Sequence, residues 1–294
     1  MKILIIGNGY IGNRCKDEWG DEAVVSGKYI NTKEDVLELL EAHQPDAVLN
    51  SAGIVGKPNV DWCDTHPLET IVGNTKLPIL IAEGCQEKNI YLLHIGTGCI
   101  FYGDSPHEDK MWRENDMANP AEVTYTRSKY AADLALSNLS NVGIARIRMP
   151  IDWIPSASNL IDKVTAFPKV VDVQNSVTIV DDLIKVFYEL LSKKASGIFH
   201  AVNPGVLKHR EIIEMYKEYV DSNHSNEWVT PQELLEQGLI MKLRSNNIMS
   251  SENLEKLGIH MREVHVALRD TMEKYAKAKK DGVNKIEGEV SLTC

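Results

Sequence analysis

Four short stretches are almost continuously apolar: 3–6, 47–50, 91–95 and 144–147. Runs of this length suit strands covered on both faces of a parallel sheet. Between them, 33–42, 69–88 and 128–139 repeat their apolar positions at helical spacing. Strands alternating with helices predict βαβ units and a doubly wound parallel sheet, the Rossmann type of α/β fold. The pattern loosens after Pro150. Pro155, Ser156, Ala157 and Ser158 read as a loop, and 177–192 with 197–202 as a helix and strand returning to the sheet. Helices are expected at 209–220, 231–237, 253–257 and 264–277. The expected division is a cofactor-binding domain at 1–150 that also receives about 173–202, and a smaller substrate-binding lobe from 151–172 and 203–277. The segment 278–294, rich in charge and without apolar period, is expected to be a mobile tail.

Composition narrows the class. The chain has 294 residues, 43% of them hydrophobic and 25% charged, enough for a core without staples. A net charge of −10 argues against nucleic acid or an anionic membrane surface as partner. The five cysteines form no CxxC pair, so neither a disulfide framework nor a metal site is expected, and a reducing compartment fits. The apolar start is too short for a signal peptide or a membrane span, and a cytoplasmic location is expected.

Gly7-Asn8-Gly9-Tyr10-Ile11-Gly12 directly follows the first strand. Gly7 suits a tight turn, Gly9 a close approach of backbone to a pyrophosphate, and Gly12 close helix–strand packing, with the helix N-terminus facing the phosphates. The end of the second strand, Ser26-Gly27-Lys28, carries no carboxylate to select a ribose 2′-hydroxyl. A cation there favours a 2′-phosphate, so NADPH is expected, with NADH as the alternative and Arg14 as a second candidate cation.

Tyr125 and Lys129 lie at i and i+4 on one helical face. An ammonium beside a phenol is expected to lower the tyrosine pKa and fit it for proton transfer to a carbonyl oxygen. The strand at 91–95 leads into Thr97, at the end of the sheet where ligands bind, so Thr97 is placed to hydrogen-bond the same oxygen. Cys99 either points into that site or is a buried structural cysteine; position alone leaves both open.

These features resemble the extended short-chain dehydrogenase/reductases, and within them the dTDP-4-dehydrorhamnose reductase group. The chain is most similar there to the bifunctional nucleotide-rhamnose synthases. The similarity runs over about residues 1–270. It is carried by Asn50-Ser51-Ala52-Gly53, Gly56-Lys57-Pro58-Asn59-Val60-Asp61-Trp62-Cys63, Thr97-Gly98-Cys99-Ile100-Phe101, Arg146-Ile147-Arg148-Met149-Pro150-Ile151, Lys169-Val170-Val171-Asp172, Asn203-Pro204-Gly205 and Arg244-Ser245-Asn246-Asn247. The first two loop glycines stand one residue closer than in that group, and the segment from Phe101 to Tyr125 is shorter.

The resemblance implies a 3,5-epimerase/4-reductase that acts on UDP-4-keto-6-deoxyglucose and uses NADPH. It assigns Thr97, Tyr125 and Lys129 to the reductase triad, and Cys99 and Lys163 to the acid/base pair of epimerisation. With the glycine loop and Lys28 it places the cofactor along Asn50, Ala52, Gly53, Tyr125, Lys129 and Pro150, and the UDP-linked keto-deoxy sugar is expected against Val55, Asn74, Asn159, Arg244 and Asn246. A homodimer is left open. Two other readings keep the same fold: a 4-reductase alone on a dTDP- or UDP-linked sugar, and a non-catalytic regulatory subunit. Cys99 and Lys163 speak against the first, and the intact Thr97, Tyr125 and Lys129 against the second.

Overall fold

A computed structural model describes residues 1–57, 59–120 and 123–283. Six strands form one parallel sheet: β1 Ile3–Ile6, β2 Ala23–Ser26, β3 Ala47–Asn50, β4 Tyr91–Thr97, β5 Val142–Ile147 and β6 Gly197–His200. Their order across the sheet is β2-β1-β3-β4-β5-β6. Chain order reverses between β1 and β3, so a crevice opens beyond their carboxyl ends. The register keeps those ends level, with Ile6 opposite Asn50 and Asn50 opposite His94. β1 and β3 are buried throughout, which explains their unbroken apolar sequence.

Eight longer helices matter to the site: α1 Tyr10–Trp19, α2 Lys33–His43, α3 Leu77–Glu87, α4 Thr124–Leu136, α5 Leu160–Ala166, α6 Val180–Lys193, α7 His209–Tyr219 and α8 Val264–Lys280. One apolar layer unites β1, β3 and α6 through Ile3, Ile5, Leu49, Phe187 and Leu190. The opposite layer unites the same sheet with α2 and α3 through Leu4, Val48, Val36, Ile81 and Leu92. A third cluster, with Ile161, Ile212, Leu268, Met272 and Tyr275, is the core of the smaller lobe.

The boundaries differ from the expected ones in three places. The single helix expected over 69–88 is divided: Pro67–Ile71 is α-helical, Val72–Lys76 is a wide π turn, and α3 follows. Segment 252–261 returns to the sheet domain, where Leu254, Ile259 and Met261 join its core, while Val177 and Ile179 pack in the lobe. Residues 278–280 are helical, where the tail was expected to have begun. Val264, Leu268, Met272, Tyr275 and Ala278 form one buried helical face, so α8 continues to Lys280. The remainder of the expected tail, 284–294, lies outside the described residues. Among the described residues, no helix is long and apolar enough to cross a membrane.

Candidate active site

The three loop glycines have different surroundings. Gly7 has φ +109°, and a Cβ there would lie 2.6 Å from the Ala52 backbone nitrogen. A Cβ on Gly12 would lie 2.5 Å from Ser51 Oγ and 2.6 Å from the Gly7 carbonyl oxygen. A Cβ on Gly9, by contrast, would meet nothing within 4 Å. Gly9 is the N-cap of α1, whose first turn carries no acidic residue. Free amides at that helix end face open space at the crevice, which fits a pyrophosphate.

At the end of β2, the Lys28 ammonium pairs with Glu38 at 2.6 Å and Asp35 at 3.4 Å, at the protein surface. Arg14 does not support the role anticipated for it. It is buried, donates to Asp152 at 2.6 Å and Asp181 at 3.3 Å, and stacks over Trp153. The Tyr10 hydroxyl donates to the same Asp152 at 2.6 Å, so α1 is locked to the chain just beyond β5. Asn8 uses its carbonyl to accept from Asn13 at 2.7 Å, and Ile11 packs against the sheet core.

β4 extends two residues beyond the expected strand and delivers Thr97 at its end. Thr97 is buried, and its Oγ1 accepts from the Cys99 amide at 3.2 Å. Tyr125 and Lys129 come from α4. Burial, with Cys99 nearby, pushes the Tyr125 phenol above its usual value, and a hydrogen bond with Thr97 works the other way. This corrects the expectation that Lys129 would lower it: the Lys129 Nζ donates instead to the Ile95 carbonyl at 2.7 Å. Burial lowers Lys129 from 10.5 to about 8, against the pull of Asp133.

Beneath Lys129 lies a residue that the sequence did not single out. His94 Nε2 is 3.5 Å from Lys129 Nζ, and His94 Nδ1 is 3.0 Å from Asn50 Nδ2. Burial and Lys129 hold His94 well below its usual pKa, hence neutral. Asn50 is therefore committed inside the sheet, its Oδ1 accepting from the Ala52 amide at 3.1 Å. Its side chain positions the loop that begins at Ala52.

Cys99 is half-buried and accepts from the Arg148 guanidinium, Nη1 to Sγ, at 3.4 Å. Lys163, on α5, keeps solvent access although the cleft walls crowd around it. That crowding lowers its pKa, while Cys99 raises it, so the two groups share one electrostatic neighbourhood. Thr97, Cys99, Tyr125, Lys129 and Lys163 thus converge from β4, the turn after it, α4 and α5.

The outer residues are less uniform. The Asn74 amide is consumed by the loop: Oδ1 accepts from the Ile54 amide and Nδ2 donates to its carbonyl, each at 2.8 Å. The Asn159 amide is consumed likewise, capping α5 at Ile161 and donating to the carbonyls of Asp152 and Ile154. Both are corrections, because neither keeps a polar atom for substrate. Gly53 lies beside the reaction centre, where its Cβ would be 3.8 Å from Lys129 Nζ. Ala52 is half-buried and Val55 exposed at the mouth of this loop. Pro150 pairs with Thr178 just past β5. Arg244 forks onto Asp61 with two bonds of 2.7 Å, and Asn246 Oδ1 accepts from Asn175 at 3.1 Å. No group of His, Cys, Asp or Glu suited to a metal ion occurs among the described residues.

An open parallel sheet, a glycine turn after its first strand, and a threonine, tyrosine and lysine gathered at its carboxyl edge define a Rossmann-type α/β protein of the reductase class. More closely, the chain belongs to the RmlD substrate binding domain family, whose model matches residues 1–277. It is 34% identical to a bifunctional dTDP-4-dehydrorhamnose 3,5-epimerase/dTDP-4-dehydrorhamnose reductase of Arabidopsis thaliana over 251 residues, 84% of this chain and 82% of that protein. A trifunctional UDP-glucose 4,6-dehydratase/UDP-4-keto-6-deoxy-D-glucose 3,5-epimerase/UDP-4-keto-L-rhamnose-reductase of the same plant is 32% identical over 87% of this chain, which spans only 39% of that longer protein. Among solved structures, the L780 UDP-rhamnose synthase of Acanthamoeba polyphaga mimivirus superposes with a TM-score of 0.84 at 26% identity, covering 93% of this chain and 99% of that one.

Proposed function

We propose that the chain is a bifunctional 3,5-epimerase/4-reductase that converts UDP-4-keto-6-deoxy-D-glucose to UDP-L-rhamnose with NADPH. The observation that carries this reading is the presence of two reaction sets in one cleft. Thr97 and Tyr125 serve a carbonyl oxygen, and Cys99 and Lys163 serve the carbons beside it. The relatives with both printed activities support it.

The cofactor is NADPH. The glycine turn fits its pyrophosphate, because of its three glycines Gly9 alone faces open space where its Cβ would stand. Lys28, at the end of β2, is the cation assigned to the 2′-phosphate, which would compete with Glu38 and Asp35 for it. When bound, NADPH supplies the hydride for C4.

The protein's part follows from its own groups. The 4-keto group acidifies the hydrogens on C3 and C5. One of Cys99 and Lys163 takes a proton from one face of the carbon and the other returns one to the opposite face, which inverts it. Thr97 and Tyr125 hydrogen-bond the oxygen on which charge collects. Because burial keeps the Tyr125 phenol protonated, Tyr125 is suited to give its proton to that oxygen in the final reduction. Lys129 stands one turn along α4, its ammonium held by the Ile95 carbonyl at 2.7 Å beside Gly53, where it is placed to orient the bound cofactor.

The test is incubation of the purified chain with UDP-4-keto-6-deoxyglucose and NADPH, with the product identified by NMR. UDP-L-rhamnose is expected. A 4-reduced sugar with uninverted C3 and C5 would reject the epimerase half, and no oxidation of NADPH would reject the whole.

A further inference from the structure

Tyr125 is the second residue of α4, which starts at Thr124. The N-cap of that helix is Val123, whose side chain has no oxygen to accept a bond, and its first turn carries no acidic residue. The first amides of a helix find no partner within it, and without a cap the first turn frays. A phenol carried on that turn is only as well placed as the turn itself.

An acceptor arrives from a separate segment. Asp64 lies on the short helix Asp61–Thr65, and its side chain is 8% exposed. Its Oδ1 accepts from the Thr124 amide and from the Thr124 hydroxyl, each at 2.8 Å. A carboxylate at a helix N-terminus also suits the partial positive charge there. The same oxygen is 3.2 Å from the Lys242 ammonium, so the segment before Arg244 is held to the same point. Burial raises the Asp64 carboxyl, but the Thr124 bonds and Lys242 outweigh it and hold the group below its ordinary value. The short helix reaches the phenol end of Tyr125 as well. After burial and Cys99, Cys63 on that helix adds to the upward push on the phenol.

We propose that Asp64 is a positioning residue that caps α4 from a separate segment and thereby fixes Tyr125 where it meets the substrate carbonyl. Asp64 acts through Thr124 and the helix, not on the reacting atoms. The purpose of this placement rests on the proposed reduction; the capping is measurable without substrate.

The experiment compares steady-state oxidation of NADPH with UDP-4-keto-6-deoxyglucose in wild type and variants, each checked for folding by circular dichroism. Asp64→Ala should lower kcat about tenfold or more and leave KM within about twofold. Asp64→Asn keeps an oxygen toward Thr124 and should restore most of kcat. Lys242→Met keeps the cap and should leave kcat within about twofold. Wild-type kcat in Asp64→Ala overturns the inference, as does an Asp64→Asn no better than Asp64→Ala, or an equal fall in Lys242→Met. If Asp64→Ala does not fold, Thr124→Pro removes both donors from the helix side. Proline suits the first position of a helix, and Val123 before it is already extended at φ −98° and ψ 120°, so this variant keeps the fold. It should show the same loss of kcat, and full activity overturns the inference. Hydrogen exchange read by NMR gives a second test without substrate. In Asp64→Ala the Thr124 amide, bonded to Asp64, and the Arg127 amide, which closes the first turn on Val123, should exchange about fivefold faster or more. Asp64→Asn should stay close to wild type, and unchanged exchange in Asp64→Ala overturns the inference. A wild type that oxidises no NADPH would reject the proposed function and leave the capping of α4 to be decided by exchange alone.

Discussion

Lys129 offers the most quantitative test of the site. Its ammonium is buried between His94 and the Ile95 carbonyl, and its pKa falls from 10.5 to about 8. A lysine lowered in the fold binds fewer protons there than in the unfolded chain between those two values. Stability must therefore rise with pH across that window. Below about pH 8 the folded protein bears the full cost of a buried charge, roughly 3 kcal/mol for a fall of this size. By about pH 10 the amine is neutral in the fold and mostly neutral outside it, so less than about 1 kcal/mol of that cost remains. Lys129→Met removes the titration. Its other effects, such as the lost bond to Ile95, are the same at both pH values and cancel. The assay is urea unfolding of wild type and variant at about pH 7 and about pH 10, without cofactor. Wild type should gain about 2–3 kcal/mol on the variant between the two. A gain below about 1 kcal/mol, or a loss, would refute the buried-ammonium argument. Other titrating groups, Tyr125 included, are present in both proteins and drop out of the difference.

Three further outcomes follow from the same geometry. Tyr125→Phe removes the proton donor but leaves Cys99 and Lys163, so reduction should fall by about a hundredfold or more while solvent deuterium still enters C3 and C5, as read by mass spectrometry. Gly12→Ala drives a methyl to 2.6 Å from the Gly7 carbonyl oxygen and should cost about 1–3 kcal/mol in urea unfolding. Gly9→Ala meets open space and should leave stability within about 0.5 kcal/mol while weakening NADPH binding by titration calorimetry. Arg14→Met strands the fully buried Asp152 carboxylate, leaving it the Tyr10 hydroxyl, and should lower stability by about 3–5 kcal/mol, most of it recovered in the double variant with Asp152→Asn.

Legibility followed from whether a feature is set locally. β1 and β3 are buried on both faces, so the apolar runs at 3–6 and 47–50 marked them without ambiguity. The glycine turn was readable because each glycine meets a different local demand. The π turn at Val72–Lys76 was not, because Val-Gly-Asn-Thr-Lys has too few apolar positions to show a change of period between the helices on either side. Asn74 and Asn159 show the limit most clearly. An amide in a family-like position says nothing about which backbone groups it will meet, and both are consumed by neighbouring loops. Arg148 was visible as the second of two arginines in Arg146-Ile147-Arg148. That no carboxylate pairs with it among the described residues is a property of packing alone.

The same absence explains how an acidic chain can serve an anionic nucleotide sugar. The net charge is −10, yet among the described residues no carboxylate lies within salt-bridge distance of Lys129, Arg148 or Lys163. The buried acids nearby are spent on other partners: Asp133 on Arg146, and Asp152 on Arg14 and Tyr10. Arg244 is the exception at the rim, forked onto Asp61, and a diphosphate would have to compete with that carboxylate for it. The charges facing the cleft floor are thus positive while the surface as a whole is negative. Their field is focused by low-dielectric walls and less screened by salt than a surface patch of the same charge would be.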